Sequence, residues 1–233
     1  MAGETGLRAG VLFSGGKDSA YSAYLAKQRD DVVCLITLNP AREDSYMFHF
    51  PNTRWTALQA QAAGVPQLFT ATEGVKEAEL EDLSTALKAA KNEYGIERLY
   101  TGALASVYQK SRVDRICSEL GIEGCSPLWG IDPQEHLMNL IKHKFEVIVT
   151  GVAAYGLDQS WLGRMLDKSM IDDLVRLHEK YHLHIGLEGG EGETFVLDCP
   201  MFEKRVEILS AERHWNGQSG YLDIISARLV DKR

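Results

Sequence analysis

The chain has few cysteines for its 233 residues. Cys34, Cys117, Cys125 and Cys199 are scattered with no CxxC pair. That spacing suggests neither a disulfide framework nor a zinc or iron–sulfur site, and leaves buried or idle thiols. Long apolar runs are also missing. None approaches the ~20 residues needed to span a bilayer, and Met1 to Arg8 lacks the basic-then-apolar design of a signal peptide. The expected location is therefore the cytoplasm, with no membrane partner. Positive charge is scarce, with 25 Lys and Arg against 33 Asp and Glu and a net charge of −8. Nucleic-acid binders usually carry a basic stripe that neutralises phosphates, so such a partner is disfavoured despite a local patch of Lys110, Arg112 and Arg115. No repeat or low-complexity tract is present.

What the chain does have is Ser14-Gly15-Gly16-Lys17-Asp18-Ser19, placed between an apolar run, Ala9 to Phe13, that reads as a strand and a stretch, Ala20 to Gln28, that reads as a helix. Two glycines let consecutive N–H groups approach an anion closely, and the helix start adds further N–H groups and the positive end of its dipole. Lys17 contributes a full charge, and Ser14 and Ser19 contribute hydroxyls. This is a phosphate cradle of another kind than GxxxxGK[ST], because Val11 and Asp18 stand where that pattern needs glycine and a hydroxyl. An aspartate beside phosphate is repelled unless a divalent cation lies between, so Asp18 implies Mg²⁺ held by one carboxylate and phosphate oxygens. The competing structural account is a glycine turn with Ser14 as helix N-cap.

Strand and helix signals then alternate. Val32 to Leu38 reads as a strand closed by Asn39-Pro40, Thr53 to Ala63 as a helix, Gln67 to Thr72 as a strand, Val75 to Tyr94 as a long helix and Arg98 to Thr101 as a strand. The alternation predicts an α/β fold, a parallel sheet with helices on both faces and its ligand beyond the carboxyl ends of the strands, where Gly15, Asn39 and Gly102 lie. Ser106 to Leu120 reads as a helix, and Gly121 to Pro127 as a loop at which the chain divides into domains 1–124 and 125–233. Past it, Pro133 to Lys144 and Gly163 to Lys180 read as helices, and Glu146 to Val152, Thr194 to Leu197, Arg205 to Ser210 and Tyr221 to Leu229 as strands.

SGGKDS resembles the PP-loop of the ATP pyrophosphatases. An ordered set of further segments is similar to one branch of that superfamily, the diphthine–ammonia ligases. These are Tyr46-Met47-Phe48-His49, Thr101 to Ser106 with Tyr108-Gln109 and Arg112, Pro127-Leu128-Trp129, Gly156-Leu157 with Leu162-Gly163-Arg164, and Glu188 to Thr194 with Leu197 to Phe202. The resemblance implies a Rossmann-like ATP domain, of the adenine nucleotide alpha hydrolase type, followed by a smaller α+β domain that binds substrate. It implies an AMP-forming carbon–nitrogen ligase that uses ATP, Mg²⁺ and ammonium to amidate diphthine on translation elongation factor 2. Free ammonium is the expected nitrogen donor, since no glutaminase segment is evident. A homo-oligomer is compatible with the sequence. Two departures stand out: Gly192 replaces an aromatic residue usual between the last two glutamates, and Leu187 replaces a glycine frequent before Glu188.

On this reading Ser14, Gly15, Gly16, Lys17, Asp18 and Ser19 hold the phosphates. Thr37 and Leu38 border the adenine, with Met47, His49 and Gly102 near the same mouth; a solvent-facing loop histidine and a plain turn glycine are the alternatives for His49 and Gly102. Tyr108, Gln109 and Arg112 share a helical face, and Arg112 could grip the α-phosphate or the substrate carboxylate, or else pair with Asp114 or Glu119. Arg164 joins them as a substrate contact. Of the acidic segment, Glu191 or Glu193 would deprotonate ammonium, and Glu188 would face the cationic substrate. Trp129, Tyr155 and Trp161 are either walls of a cage for trimethylammonium or packed core. His178, His182 and His184 read as a helix end complementing the dipole rather than a zinc site. Rival readings are another PP-loop reaction, on tRNA or a small carboxylic acid, and a sensor that binds ATP without turnover.

Overall fold

In a computed structural model, residues 6–40, 52–72 and 78–232 are described. By its internal contacts the chain divides into two units, Met1–Ser14 with Asp18–Gly130 and Gly15–Lys17 with Ile131–Arg233.

The first unit is a five-stranded sheet of order β3-β2-β1-β4-β5, parallel throughout, built from β1 (Arg8–Leu12), β2 (Asp31–Pro40), β3 (Gln67–Thr72), β4 (Arg98–Tyr100) and β5 (Glu123–Cys125). Its helices are α1 (Lys17–Arg29), α2 (Thr56–Ala63), α3 (Ala78–Tyr94) and α4 (Val107–Leu120), with a 3-10 turn at Thr53–Trp55. Alternation along β2 explains the layering. Cys34, Ile36 and Leu38 join Leu83 and Leu87 of α3 and Ile116 of α4 in one core, while Leu35 and Thr37 are buried on the other face. Both faces being covered is what a parallel sheet requires. The strand order reverses at β1, so the crevice at a topological switch point opens between the carboxyl ends of β1 and β4.

The second unit carries a four-stranded antiparallel sheet of order β7-β6-β9-β8: β6 (Glu146–Val152), β7 (Gly192–Asp198), β8 (Lys204–Trp215) and β9 (Gly220–Asp231). Two helices pack with it, α5 (Pro133–Lys142) and α6 (Lys168–Tyr181), each started by an aspartate cap. Asp132 accepts the Glu135 amide at 2.8 Å and Asp167 the Met170 amide at 2.7 Å. Among the described residues no helix is long and apolar enough to cross a membrane.

Several expectations shift. α1 opens at Lys17 rather than Ala20, which puts Lys17, Asp18 and Ser19 in its first turn. β2 runs through Asn39 and Pro40 instead of turning there. Phe13 donates to the Ile36 carbonyl, so by alternation Pro40 faces a side on which β1 has already ended and its missing N–H costs no ladder bond. The expected loop after Gly121 contains β5, with Gly124 at its centre because a Cβ there would lie 2.9 Å from Asp114 Oδ1. Residues 163–167 are not helical. Gly163 and Leu166 donate to Val149 and Val147 of β6, and Asp167 then caps α6. β8 and β9 outrun their apolar stretches and are joined where Asn216 Oδ1 accepts the amides of Gln218 and Ser219.

At the amino end of the parallel sheet, buried Asp30 binds the Arg98 guanidinium, accepts the Tyr100 hydroxyl at 2.7 Å and accepts the Leu7 amide at 3.0 Å. Burial alone would raise its pKa, but the hydrogen bonds from Tyr100, Arg98 and Leu7 together with the Arg98 charge bring it below the ordinary carboxylate value. A carboxyl with a depressed folded pKa stabilises above its unfolded value and loses that contribution as pH falls through the folded one. Asp30→Asn is expected to cost about 1–3 kcal/mol at pH 7, with the gap to wild type closing below about pH 4. Urea denaturation at both pH values reads it, and an equal gap at both would contradict it.

Candidate functional site

β1 stops at Leu12 and α1 begins at Lys17, so SGGKDS is a tight turn running into a helix start. Gly15 has φ +82°, a backbone region that side chains resist. Ser19 Oγ accepts the Ser14 amide at 3.2 Å and lies 3.1 Å from Ser14 Oγ, so neither hydroxyl points idly into solvent. Ser14 is therefore tied to Ser19 and the helix begins three residues after it. Lys17 is 3% exposed. Its amide donates to Thr194 Oγ1 at 3.1 Å and its ammonium to Glu188 Oε1 at 3.2 Å, while the Val196 amide donates to the Gly15 carbonyl at 3.0 Å. The turn is thus stitched to β7 and to the acidic segment before it. Leu137, Val149, Leu174 and Leu187 line a small cavity with Lys17, so the lysine stem is apolar-packed and only its head meets a charge.

In the first unit, Gly102 follows β4, and a Cβ there would lie 2.7 Å from the backbone of Asp18 and Ser19. Its lack of a side chain lets β4 close on the first turn of α1, a reason distinct from nucleotide approach or turn strain. Thr37 donates to the Phe13 carbonyl at 2.7 Å and accepts from Gln67 at 2.8 Å, so its side chain is committed to the sheet. Leu38 is buried, and by alternation its backbone faces the side β1 has left. Met47 and His49 lie outside the described residues. Gln109 gives its amide to the Ser106 cap at 3.3 Å. The Arg112 guanidinium stacks 3.4 Å from the Tyr108 ring centroid. Asp114 pairs with Lys110 and Glu119 with Arg115, so the plain ion-pair account of Arg112 is set aside. Trp129, 39% exposed, has the Lys110 ammonium 5.7 Å from its ring centroid.

The acidic segment folds on its own histidine. His184 Nδ1 accepts the amides of Gly186 at 3.1 Å and Glu188 at 3.4 Å, and is therefore the unprotonated ring nitrogen. Glu191 Oε2 accepts the His184 amide at 2.5 Å. Glu193 sits on β7 opposite Gly151, where a Cβ would come within 3.0 Å of Glu193 Cβ. Among the described residues no group of three or more His, Cys, Asp or Glu could hold a metal. His178 Nδ1 meets the Leu183 carbonyl at 2.7 Å, and His182 is the left-handed cap of α6.

Tyr155 is 81% exposed and stands edge-on to Tyr181 at 4.9 Å. Trp161 is buried, and the Arg164 guanidinium lies 4.6 Å from its ring centroid while pairing with Asp173 at 2.5 Å. The hydrogen bond from Arg164, joined by Arg176, holds the Asp173 carboxyl below its ordinary value. One face of Trp161 is therefore already given to a cation of the chain itself. Thr194 was named in the sequence only as the end of the acidic segment, and His184, expected at a helix end, lies beyond the His182 cap of α6 and orders the acidic segment's loop instead.

A parallel sheet of this order, with a glycine turn and a lysine-headed helix after its first strand, defines a Rossmann-like α/β protein that also carries an antiparallel-sheet unit. The chain belongs to the diphthamide synthase family: residues 7–124 match the model of the diphthamide synthase N-terminal domain and residues 132–230 that of its C-terminal domain. It is 34% identical over 229 residues to the human diphthine–ammonia ligase, covering 88% of this chain and 84% of that protein, and 34% identical to the bovine one over 97% and 91%. The fission yeast diphthine–ammonia ligase is 33% identical over 91% of this chain, which corresponds to 38% of that longer protein. A solved structure described as a predicted subunit of a tRNA methyltransferase from Methanocaldococcus jannaschii aligns with a TM-score of 0.46 and 19% identity, over 83% of this chain and 98% of that one, too weak a likeness to bear on function. The relatives are ligases by name, so the family is one of enzymes.

The two departures noted in the sequence are in contact. Leu187 adopts φ +58°, the region glycine prefers, and a Cβ at Gly192 would lie 3.2 Å from Leu187 Cβ and Cδ1. A side chain at position 192 would press on Leu187 and, at 3.1 Å, on the Gly151 carbonyl. Gly192→Phe is expected to destabilise by about 1–3 kcal/mol through overpacking. Adding Leu187→Gly should recover the part of that loss due to Leu187, the Gly151 carbonyl remaining, and thermal melts of both singles and the double give the coupling; strict additivity would contradict the contact.

Proposed function

We propose that the protein is an AMP-forming ligase that amidates diphthine on translation elongation factor 2. The observation that carries this reading is the buried Lys17 at a glycine turn and helix start, in a chain matching both domains of the diphthamide synthase family. A carboxylate does not react with ammonia in water, because its oxygen leaves poorly and its charge repels nucleophiles. Adenylation removes both obstacles. The diphthine carboxylate attacks the α-phosphorus of ATP, pyrophosphate leaves, and ammonia then displaces AMP from the acyl-adenylate.

Residues 1–124 serve ATP and residues 125–233 serve the substrate in this reading. Gly15, Gly16 and Ser19 donate hydrogen bonds to the β- and γ-phosphates and Lys17 neutralises the charge gathering on the leaving pyrophosphate. Asp18, in the first turn of α1, fits a Mg²⁺ held by one carboxylate and phosphate oxygens, and the ion would supply charge neutralisation between them. The Leu38 backbone, turned to the side vacated by β1, suits the adenine edge. Arg112, pre-oriented on Tyr108, suits the α-phosphate or the acceptor carboxylate. Glu191, which also accepts the His184 amide, or Glu193 takes the proton from ammonium in this reading.

The test is AMP release from ATP and Mg²⁺ with ammonium, comparing elongation factor 2 that carries diphthine with the unmodified factor. The expected result is AMP formation that depends on diphthine, with amide gain on the factor by mass spectrometry. Lys17→Ala should lower that rate by ~10²- to 10³-fold. Equal background with both factors would overturn the acceptor and turn attention to tRNA and small carboxylic acids. ATP bound without turnover under any condition would favour a sensor.

A further inference from the structure

Helix α1 starts at Lys17, directly after a glycine. The residue before Lys17 is Gly16, and a helix N-terminus leaves its first amides without intrahelical partners. A serine, threonine or aspartate at that position would cap the helix but would fill space that a phosphate cradle needs. Thr194, distant in sequence on β7, supplies what Gly16 lacks: its Oγ1 accepts the Lys17 amide at 3.1 Å. Two residues along the same strand, the Val196 amide holds the Gly15 carbonyl at 3.0 Å. Thr194 is itself fixed by its pairing with Val149 of β6, and the register shift between Val149 and Gly151 separates it from the Glu193–Gly151 pair. A bulge is a common device for re-aiming side chains beside a functional site.

We propose that Thr194 is a positioning residue of the phosphate cradle, a cap delivered from β7 that fixes the Gly15–Lys17 turn in the shape that receives pyrophosphate. This rests on the reading of SGGKDS as that cradle. The hydroxyl acts through Lys17: with the Lys17 amide held by Thr194, the turn presents the Lys17 ammonium and the neighbouring amides in one arrangement instead of many. Ordering costs that would otherwise fall on ligand binding are then met in the folded protein.

Calorimetric titration of the full chain with magnesium pyrophosphate and with MgATP tests this, with steady-state kinetics alongside. Thr194→Val keeps the shape and removes the acceptor. It should weaken pyrophosphate binding on the order of tenfold, the equilibrium equivalent of a lost helix cap. KM for ATP should rise by a similar factor, with kcat at saturating ATP changed less than about threefold. Thr194→Ala should match Thr194→Val, and Thr194→Ser, which restores the hydroxyl, should return both quantities to within about twofold of wild type. Wild-type affinity in the valine and alanine variants, or serine as impaired as valine, would overturn the positioning role while leaving the cradle standing. A wild-type protein that binds neither magnesium pyrophosphate nor MgATP would overturn the cradle reading and this role with it.

Discussion

The contact of a three-residue turn with a strand far along the chain governs this structure. Gly15 and Lys17 are held by Val196 and Thr194 of β7, and the Lys17 ammonium by Glu188. The ammonium of a lysine only 3% exposed is costly without an anion beside it, so the lysine, the glutamate and the strand form one unit of stability. That is why Gly15–Lys17 clusters with residues 131–233, although Ser14 and Asp18 on either side of it belong to the parallel sheet.

The acidic segment has two sorts of carboxylate. Glu191 shapes the loop through the His184 amide, and Glu188 meets Lys17, so a simple count of three negative charges overstates what is available to a cation. His184 orders the same loop from the other side, with its Nδ1 accepting two amides. Leu187 and Gly192 then fix the ends of the segment against each other.

Much of the fold was legible because its signals are local. The glycine pair, the β-branched run of β2, the helical spacing of Leu80, Leu83 and Leu87, and the β6 stretch each declare themselves within a dozen residues. What escaped depends on distant partners. β5 is three residues with a glycine at the centre, and it is a strand because β4 pairs with it and Asp114 packs on it. Residues 163–166 looked helical by composition, but β6 offered them backbone partners. At the site, Lys17 and Glu188 could each be named from their own motifs, whereas their pairing could not. Thr194 was hidden for the same reason: a threonine two positions into a strand gives no sign that its hydroxyl accepts an amide at a helix start elsewhere. Trp161, which the sequence left between cage wall and packed core, is buried with the Arg164 guanidinium over its ring.

The central claim, that the cradle activates a carboxylate as an acyl-adenylate, is tested most directly by oxygen transfer. Diphthine-bearing elongation factor 2 labelled with ¹⁸O in the diphthine carboxylate is turned over with ATP, Mg²⁺ and ammonium, and the nucleotide and phosphate products are examined by mass spectrometry. The account predicts one ¹⁸O in AMP, none in pyrophosphate and the other retained in the amide. Label in inorganic phosphate, with ADP as the nucleotide product, would contradict it.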